Sequence, residues 1–258
     1  MQHGICNLSL IPVRKSAGHT SEMVSQMLFG ETFDILHQHE NWVEIQIHTD
    51  HYSGWIHQLQ FLYLDKADLD ILNSQARVFV NDLTATVTEK SSGISFPLLM
   101  GSSLPLPHYN QFRFADQTYT FKGNYVQPLK AKENIIPFAK QYLAAPYLWG
   151  GRTHYGIDCS GFTQMVYKLS GFSLQRDASQ QAFEGETLNF LSEAEAGDLL
   201  FFDNEEGNIV HVGLLLDENK IIHASGKVRI DTIDHQGIFN ADLQKYTHNL
   251  RLIKKIKN

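Results

Sequence analysis

An α+β domain preceded by two small all-β units is the fold class predicted for this 258-residue chain, and three observations predict it. First, a glycine-rich stretch, Pro146-Tyr147-Leu148-Trp149-Gly150-Gly151 followed by Gly156-Ile157-Asp158-Cys159, leads into apolar residues at Phe162, Met165, Val166 and Leu169. That i, i+3, i+4, i+7 spacing is one face of a helix. Second, Ile209–Leu216 and Ile221–Gly226 are short, apolar, β-branched runs on either side of Asp217-Glu218-Asn219, the composition of a strand, a turn and a strand. Third, residues 8–56 and 84–121 hold short alternating runs broken by Gly, Ser and Asn. The predicted division is residues 1–64, 75–128 and 130–258.

In chain order, Leu8–Arg14 is a strand with an edge-type proline, Pro12. Ser21–Leu28 is a polar-to-apolar entry, Gly30-Glu31 a turn, and Phe33–Leu36 and Trp42–Ile47 alternate with period two. Asp50–Gly54 is a hairpin loop, and Trp55-Ile56 resumes the sheet. Ala67–Asn73 is a polar connector. Thr84–Thr88, Ser95–Met100, Phe112–Phe114 and Tyr119–Phe121 make a second β unit of comparable length, a degenerate repeat of the first. Lys130–Leu143 is a helix that tolerates Pro137 only in its first turn. Ala196–Phe202 is a turn and a buried strand, and Leu250–Ile256 ends the sheet.

The chemistry centres on Cys159. Asp158 is a suitable helix N-cap and Gly171 a suitable stop, so Cys159 falls in the first turn. The positive end of the helix dipole there favours a thiolate, the nucleophilic form. A free Cys is ordinarily a small buried hydrophobe, and Cys6, inside the apolar run Ile5–Leu10, reads that way. Asp-Cys-Ser between glycines is a poor core segment and points to chemistry instead. Both thiols are expected to be reduced, because a disulfide would silence the nucleophile.

His211 and His223 are the candidate bases. If the loop between their strands has three residues, Gly213 opposes His223 and the two imidazoles share a sheet face, about 7–8 Å apart as diagonal neighbours. A two-residue loop puts them on opposite faces. In the first case His211 deprotonates Cys159 and His223 fixes its tautomer and orientation. His154 competes as a base, but it lies in a loop, and a strand fixes a rotamer better. His37, His39, His48, His51 and His57 lack zinc-type spacing, so no metal and no cofactor is predicted.

Tyr-x-Trp-Gly-Gly, Asp-Cys-Ser-Gly-Phe, His-Val-Gly and Ile-His-Ala-Ser-Gly, in this order from about residue 130 onward, resemble the NlpC/P60 cysteine peptidases. The resemblance implies a papain-like α+β core with a Cys159–His211–His223 triad. It also implies that the Tyr147 hydroxyl assists the Cys159 backbone N–H in holding the oxyanion. The segments Pro-Val-Arg, Ser-Glu-Met-Val-Ser-Gln, Gly-Glu, Trp-Val-Glu-Ile and Gly-Trp-Ile resemble a bacterial SH3-type (SH3b) domain, and the second β unit reads as another SH3-like barrel with worn motifs. Together they imply a γ-D-glutamyl-diamino acid endopeptidase acting on short murein peptides with a free N-terminal L-Ala. Such relatives read that amine with an acidic side chain, because an ammonium leaving water needs a paired charge. Asp158 is the first candidate and Glu44 the second. Arg176, Asp177 and Ser179 border the groove in the family's Arg-Asp stretch, where this chain has Ala178 before Ser179. Ser160, Ser225 and Trp149 complete the expected substrate contacts.

A net charge of −7 and the absence of a basic patch exclude a nucleic-acid binder and give no attraction to an anionic membrane. The N-terminus lacks a basic, then apolar, secretory pattern, and no run of eighteen apolar residues occurs, so a cytoplasmic monomer acting in peptidoglycan recycling is expected. The rival readings are a wall-binding SH3b protein with an inactive catalytic domain, and an amidase or acyltransferase on the same scaffold.

Overall fold

The computed structural model describes residues 2–114 and 116–256. The chain divides into two units, Met1–Pro128 and Leu129–Asn258. The first unit starts with β1 (Gln2–Ile5), β2 (Leu10–Arg14), β3 (Met23–Leu28), β4 (Thr32–His39), β5 (Trp42–Ile47), β6 (Ser53–His57) and β7 (Leu62–Leu64). Among the described residues these strands form one sheet in the order β3-β2-β6-β5-β4-β1-β7. The alternation in Trp42–Ile47 is borne out: Val43, Ile45 and Ile47 are buried between half-buried Glu44 and Gln46. They share a core with Ile11, Val13, Ile56 and Cys6.

The predicted connector at Ala67–Asn73 is instead a helix, α1 (Lys66–Ser74). The Asp65 carboxylate accepts from the Asp68 N–H at 2.8 Å, and Leu69 and Leu72 are buried. Two apolar anchors one turn apart are too few to show helical periodicity, yet the cap and the packing suffice to form it. Next come β8 (Arg77–Val80), β9 (Thr84–Glu89), β10 (Ser95–Leu99), β11 (Ser103–Pro105), β12 (Gln111–Phe114), β13 (Gln117–Lys122) and β14 (Tyr125–Val126). They form two separate sheets, β10-β9-β13-β12 and β11-β8-β14. Val78, Val87, Leu98, Phe114 and Phe121 from these strands share one core with Leu69 and Leu72 of α1.

The second unit contains α2 (Ile135–Gln141), which carries Pro137 in its first turn, β15 (Arg152–Thr153), β16 (Gly156–Ile157), α3 (Cys159–Leu169) and α4 (Ala178–Gln181). Its strands continue with β17 (Glu186–Leu188), β18 (Leu199–Asp203), β19 (Ile209–Asp217), β20 (Lys220–Ser225), β21 (Lys227–Ile233), β22 (Gly237–Asn240) and β23 (Lys245–Lys255). The C-terminal run predicted to end the sheet does more than that. As part of β23 it pairs with β17, β18 and β22, so β18 to β23 close into a six-stranded barrel. Leu200, Phe202, Leu215, Ile221, Ile238 and Ile253 form a core of this barrel.

The outer partner of the barrel is α3, packed on β19 and β20. Phe162, Met165, Val166 and Leu169 are each 0% exposed. Burying such side chains contributes about 1.5–3 kcal/mol each, which fixes the helix firmly against the sheet. No helix among the described residues is long and apolar enough to cross a membrane.

Candidate active site

Cys159 opens α3, and a buried polar buttress holds that helix end. The Asp158 Oδ1 atom caps α3 by accepting from the Gly161 N–H at 2.7 Å, while Oδ2 accepts from the Gly150 N–H at 2.8 Å. Arg176 donates to both oxygens, at 3.1 Å and 2.6 Å, and to Ser160 Oγ at 3.0 Å. The guanidinium and the carboxylate side chains are only 1% and 8% exposed. A side chain at Gly161 would collide with the Gly151 carbonyl oxygen, so the glycines let the loop and the helix approach at this point.

This network takes in three of the expected substrate contacts, Asp158, Arg176 and Ser160. The Asp158 carboxylate is enclosed by Arg176 and two backbone amides. Arg176 and Ser160 are likewise buried within the buttress. Their placement ties the helix start to the segment before α4, eighteen residues downstream.

The thiolate expected at Cys159 is corrected. Cys159 is 6% exposed. Burial first, and then the charge of Asp158, push its thiol up to about 12, against hydrogen bonds from the Val212 and Ser160 backbone amides and the charge of Arg176. The helix-end field is real, but the loss of water outweighs it. The resting group is a neutral thiol, held against β19 at the Val212 backbone amide. The rate of Cys159 alkylation by iodoacetamide is therefore expected to rise about tenfold per pH unit from pH 7 to pH 10. A plateau reached below pH 7 would contradict this.

His211 and His223 do meet, by a route that the sequence did not reveal. The turn is short, with Asp217 opposite Lys220, which by itself would separate the two rings. A register shift between Leu215 and Asp217 inserts one extra residue, so Gly213 opposes His223 after all. The imidazoles are closer than diagonal neighbours on a flat sheet, with His211 Nε2 2.8 Å from His223 Nδ1. Both rings are buried. Burial, and then the closeness of two more titratable imidazoles, His223 and His248, hold His211 well below the ordinary histidine range, so it is neutral at pH 7. A Cβ at Gly213 would lie 2.8 Å from the His223 Cβ and 2.7 Å from Ile221 Cδ1. Gly213→Ala is expected to displace His223 and lower kcat about 100-fold, since an ångström of misplacement costs that much. Steady-state kinetics on the folded variant checks this.

Three residues missed in the sequence complete the group. The Asp231 Oδ2 atom lies 3.1 Å from His223 Nε2, and Oδ1 accepts from Arg229 Nη2 at 2.8 Å. Burial alone would raise the Asp231 carboxyl, but the bonds from His223 and Arg229 hold it below the usual range. His248, from β23, stacks on His211 with ring centroids 4.2 Å apart, and burial pushes it down to about 4. The available signal was the Arg-x-Asp alternation that follows the Gly226 turn. Arg229 opposes His223, and Asp231 comes two residues later on the same face.

Tyr147 donates its backbone N–H to the Gly226 carbonyl at 3.0 Å. Burial, followed by the charges of Cys159 and Asp158, pushes its phenol up to about 12, so the hydroxyl remains a donor within electrostatic reach of the sulfur. Trp149 is 59% exposed. Ser179 is exposed, while Ser225 and Asp177 are half-buried. Asp177 caps α4, its backbone N–H donating to Gln180 Oε1 at 3.0 Å. Glu44 lies on β5 of the first unit, its carboxylate 3.8 Å from His37 Nε2. Also in that unit, His3 Nδ1 and His48 Nε2 lie 2.6 Å and 2.8 Å from Asp34 Oδ1. These are donor types that suit a divalent ion, but here they satisfy one another.

A cysteine at a helix start, an imidazole pair on the adjoining strands and a carboxylate behind them define a cysteine-hydrolase type of site. Residues 144–247 match the NlpC/P60 family, and residues 13–60 match the bacterial dipeptidyl-peptidase SH3 domain. The sequence is 31% identical over 218 residues to the gamma-D-glutamyl-L-lysine dipeptidyl-peptidase of Bacillus subtilis strain 168, covering 78% of this chain and 71% of that protein. It is 26% identical over 229 residues to the protein of the same name from Bacillus cereus, covering 80% and 68%. The crystal structure of an NlpC/P60 family protein from Bacillus cereus ATCC 10987 shares the fold, with a TM-score of 0.82 at 18% identity over 98% of this chain and 99% of that one. The chain belongs to the NlpC/P60 family and is a cysteine peptidase.

Proposed function

We propose that the protein hydrolyses the γ-D-glutamyl–diamino acid bond of short peptidoglycan-derived peptides that carry a free N-terminal L-Ala. The observation that carries the reading is the 2.8 Å contact between His211 and His223 beside the thiol-bearing start of α3. The similarity to the two gamma-D-glutamyl-L-lysine dipeptidyl-peptidases supports the substrate class. Residues 1–64 and 75–128 are read as two SH3-like barrels, the second divergent, and residues 130–258 as the catalytic domain.

In this scheme the Cys159 sulfur attacks the γ-amide carbonyl carbon as its proton passes to His211. Because both groups start neutral, charge separates only as the bond forms. The Cys159 backbone N–H and the Tyr147 hydroxyl hold the oxyanion. The C–N bond breaks, His211 returns the proton to the leaving amine, and water hydrolyses the thioester with the same imidazole as base. With Asp158 enclosed by Arg176, the substrate ammonium falls to Asp177 or Glu44. Trp149, Ser179 and Ser225 are the remaining candidate contacts.

The test is incubation with L-Ala-γ-D-Glu-Lys and its diaminopimelate counterpart, each also with an acetylated amino terminus, followed by mass spectrometry. Release of L-Ala-γ-D-Glu from the free peptides, with acetylation suppressing it, is the expected result. Intact sacculi should be cleaved more slowly than free tripeptide. Cleavage at another bond, or indifference to acetylation, contradicts the reading.

A further inference from the structure

We infer that Asp231, anchored by Arg229, is a positioning residue that sets the tautomers of both imidazoles and thereby decides which nitrogen of His211 is the base. The inference rests on reading Cys159 as nucleophile and His211 as its base. An ionised carboxylate only accepts hydrogen bonds. At 3.1 Å from Asp231 Oδ2, His223 Nε2 must therefore carry a proton. We take that as the single proton of the His223 ring, so its Nδ1 is bare and can only accept. Its partner at 2.8 Å is His211 Nε2, which must carry the proton of that ring. His211 is neutral, so its Nδ1 is left bare, with a lone pair able to take the thiol proton. Each link follows from the one before, and the chain of logic starts at Asp231.

Arg229 makes the direction testable. Its Nη2 bonds Asp231 Oδ1 at 2.8 Å and Asp242 Oδ2 at 2.9 Å, and a guanidinium can only donate. In Asp231→Asn the amide oxygen is retained by Arg229, which turns the amide N–H towards His223 Nε2. Every proton in the relay then reverses: His223 Nδ1 donates to His211 Nε2, and His211 presents an N–H to the thiol. Asp231→Ala imposes no direction, so the productive tautomer stays accessible. A purely structural role gives the opposite order, because Asn keeps the shape that Ala loses.

The experiment compares kcat and KM of wild type, Asp231→Asn and Asp231→Ala on the tripeptide, with thermal melts to establish folding. A carboxylate-to-amide change behind the histidine of a serine-protease triad costs about 10⁴ in kcat. A comparable loss is expected for Asp231→Asn with KM little changed, and Asp231→Ala should be at least about tenfold more active than Asp231→Asn. Asp231→Asn matching or exceeding Asp231→Ala overturns the inference. A second readout needs no turnover. Nitrogen-15 spectra of histidine-labelled protein should place the His211 proton on Nε2 in wild type and on Nδ1 in Asp231→Asn, whereas a wild-type proton on Nδ1 overturns it. Because the spectra report tautomers even if none of the peptides offered is cleaved, failure of the substrate reading and failure of this inference remain distinguishable.

Discussion

Cys159→Ala is expected to reduce peptide hydrolysis by at least about 10⁴-fold while the protein stays folded. The methyl group fits the space that the thiol leaves. The change removes no hydrogen bond from the Asp158–Arg176 buttress, because that network uses the neighbouring side chains. The cost in stability should be that of an ordinary buried substitution, about 1 kcal/mol. What disappears is the sulfur that forms the thioester; Cys6 is sealed in the core of the first unit, and neither His211 nor Tyr147 can replace the lost thiol. Turnover of L-Ala-γ-D-Glu-Lys beside a thermal melt measures both quantities. A variant that kept a tenth of the activity would end the covalent scheme.

Asp158→Ala is expected to act chiefly on stability. It removes the N-cap of α3, the acceptor for the Gly150 N–H and the carboxylate facing a guanidinium that is 1% exposed. Breaking a buried pair from one side costs about 3–5 kcal/mol, because the remaining charge has lost its counter-ion and cannot reach water. A drop of about 10 °C or more in the melting temperature of the catalytic unit should follow. This separates the buttress from the role first expected of Asp158. A residue that binds the substrate ammonium would raise KM and leave the melting temperature within a few degrees.

Much of the site was legible because its carriers are local. The spacing from Phe162 to Leu169, the cap at Asp158 and the stop at Gly171 all lie within one short segment, and that segment is α3. The strands bearing His211 and His223 were readable from composition, but the outcome hung on a turn whose length alone gives the wrong answer. The extra residue before Asp217 restores the shared face, and a bulge leaves no reliable mark in a single sequence. The pairing of Arg176 with Asp158, and the parts of Asp231 and His248, were missed for a different reason. Each reaches the site from another element, through pairings that only the closed barrel and the packed helix create. The thiolate was misjudged because a helix end shows in sequence, whereas the depth of burial that opposes it does not.

The central claim is that the sulfur of Cys159 becomes covalently acylated during turnover. Acid-quenching the enzyme with L-Ala-γ-D-Glu-Lys within the first turnovers, followed by peptide mapping in a mass spectrometer, tests it directly. The account predicts that the peptide containing Cys159 gains the mass of the L-Ala-γ-D-Glu acyl group, and that the gain is absent in Cys159→Ala. Rapid product release with Cys159 unmodified at every quench time, and an adduct of that mass on some other residue, would contradict it.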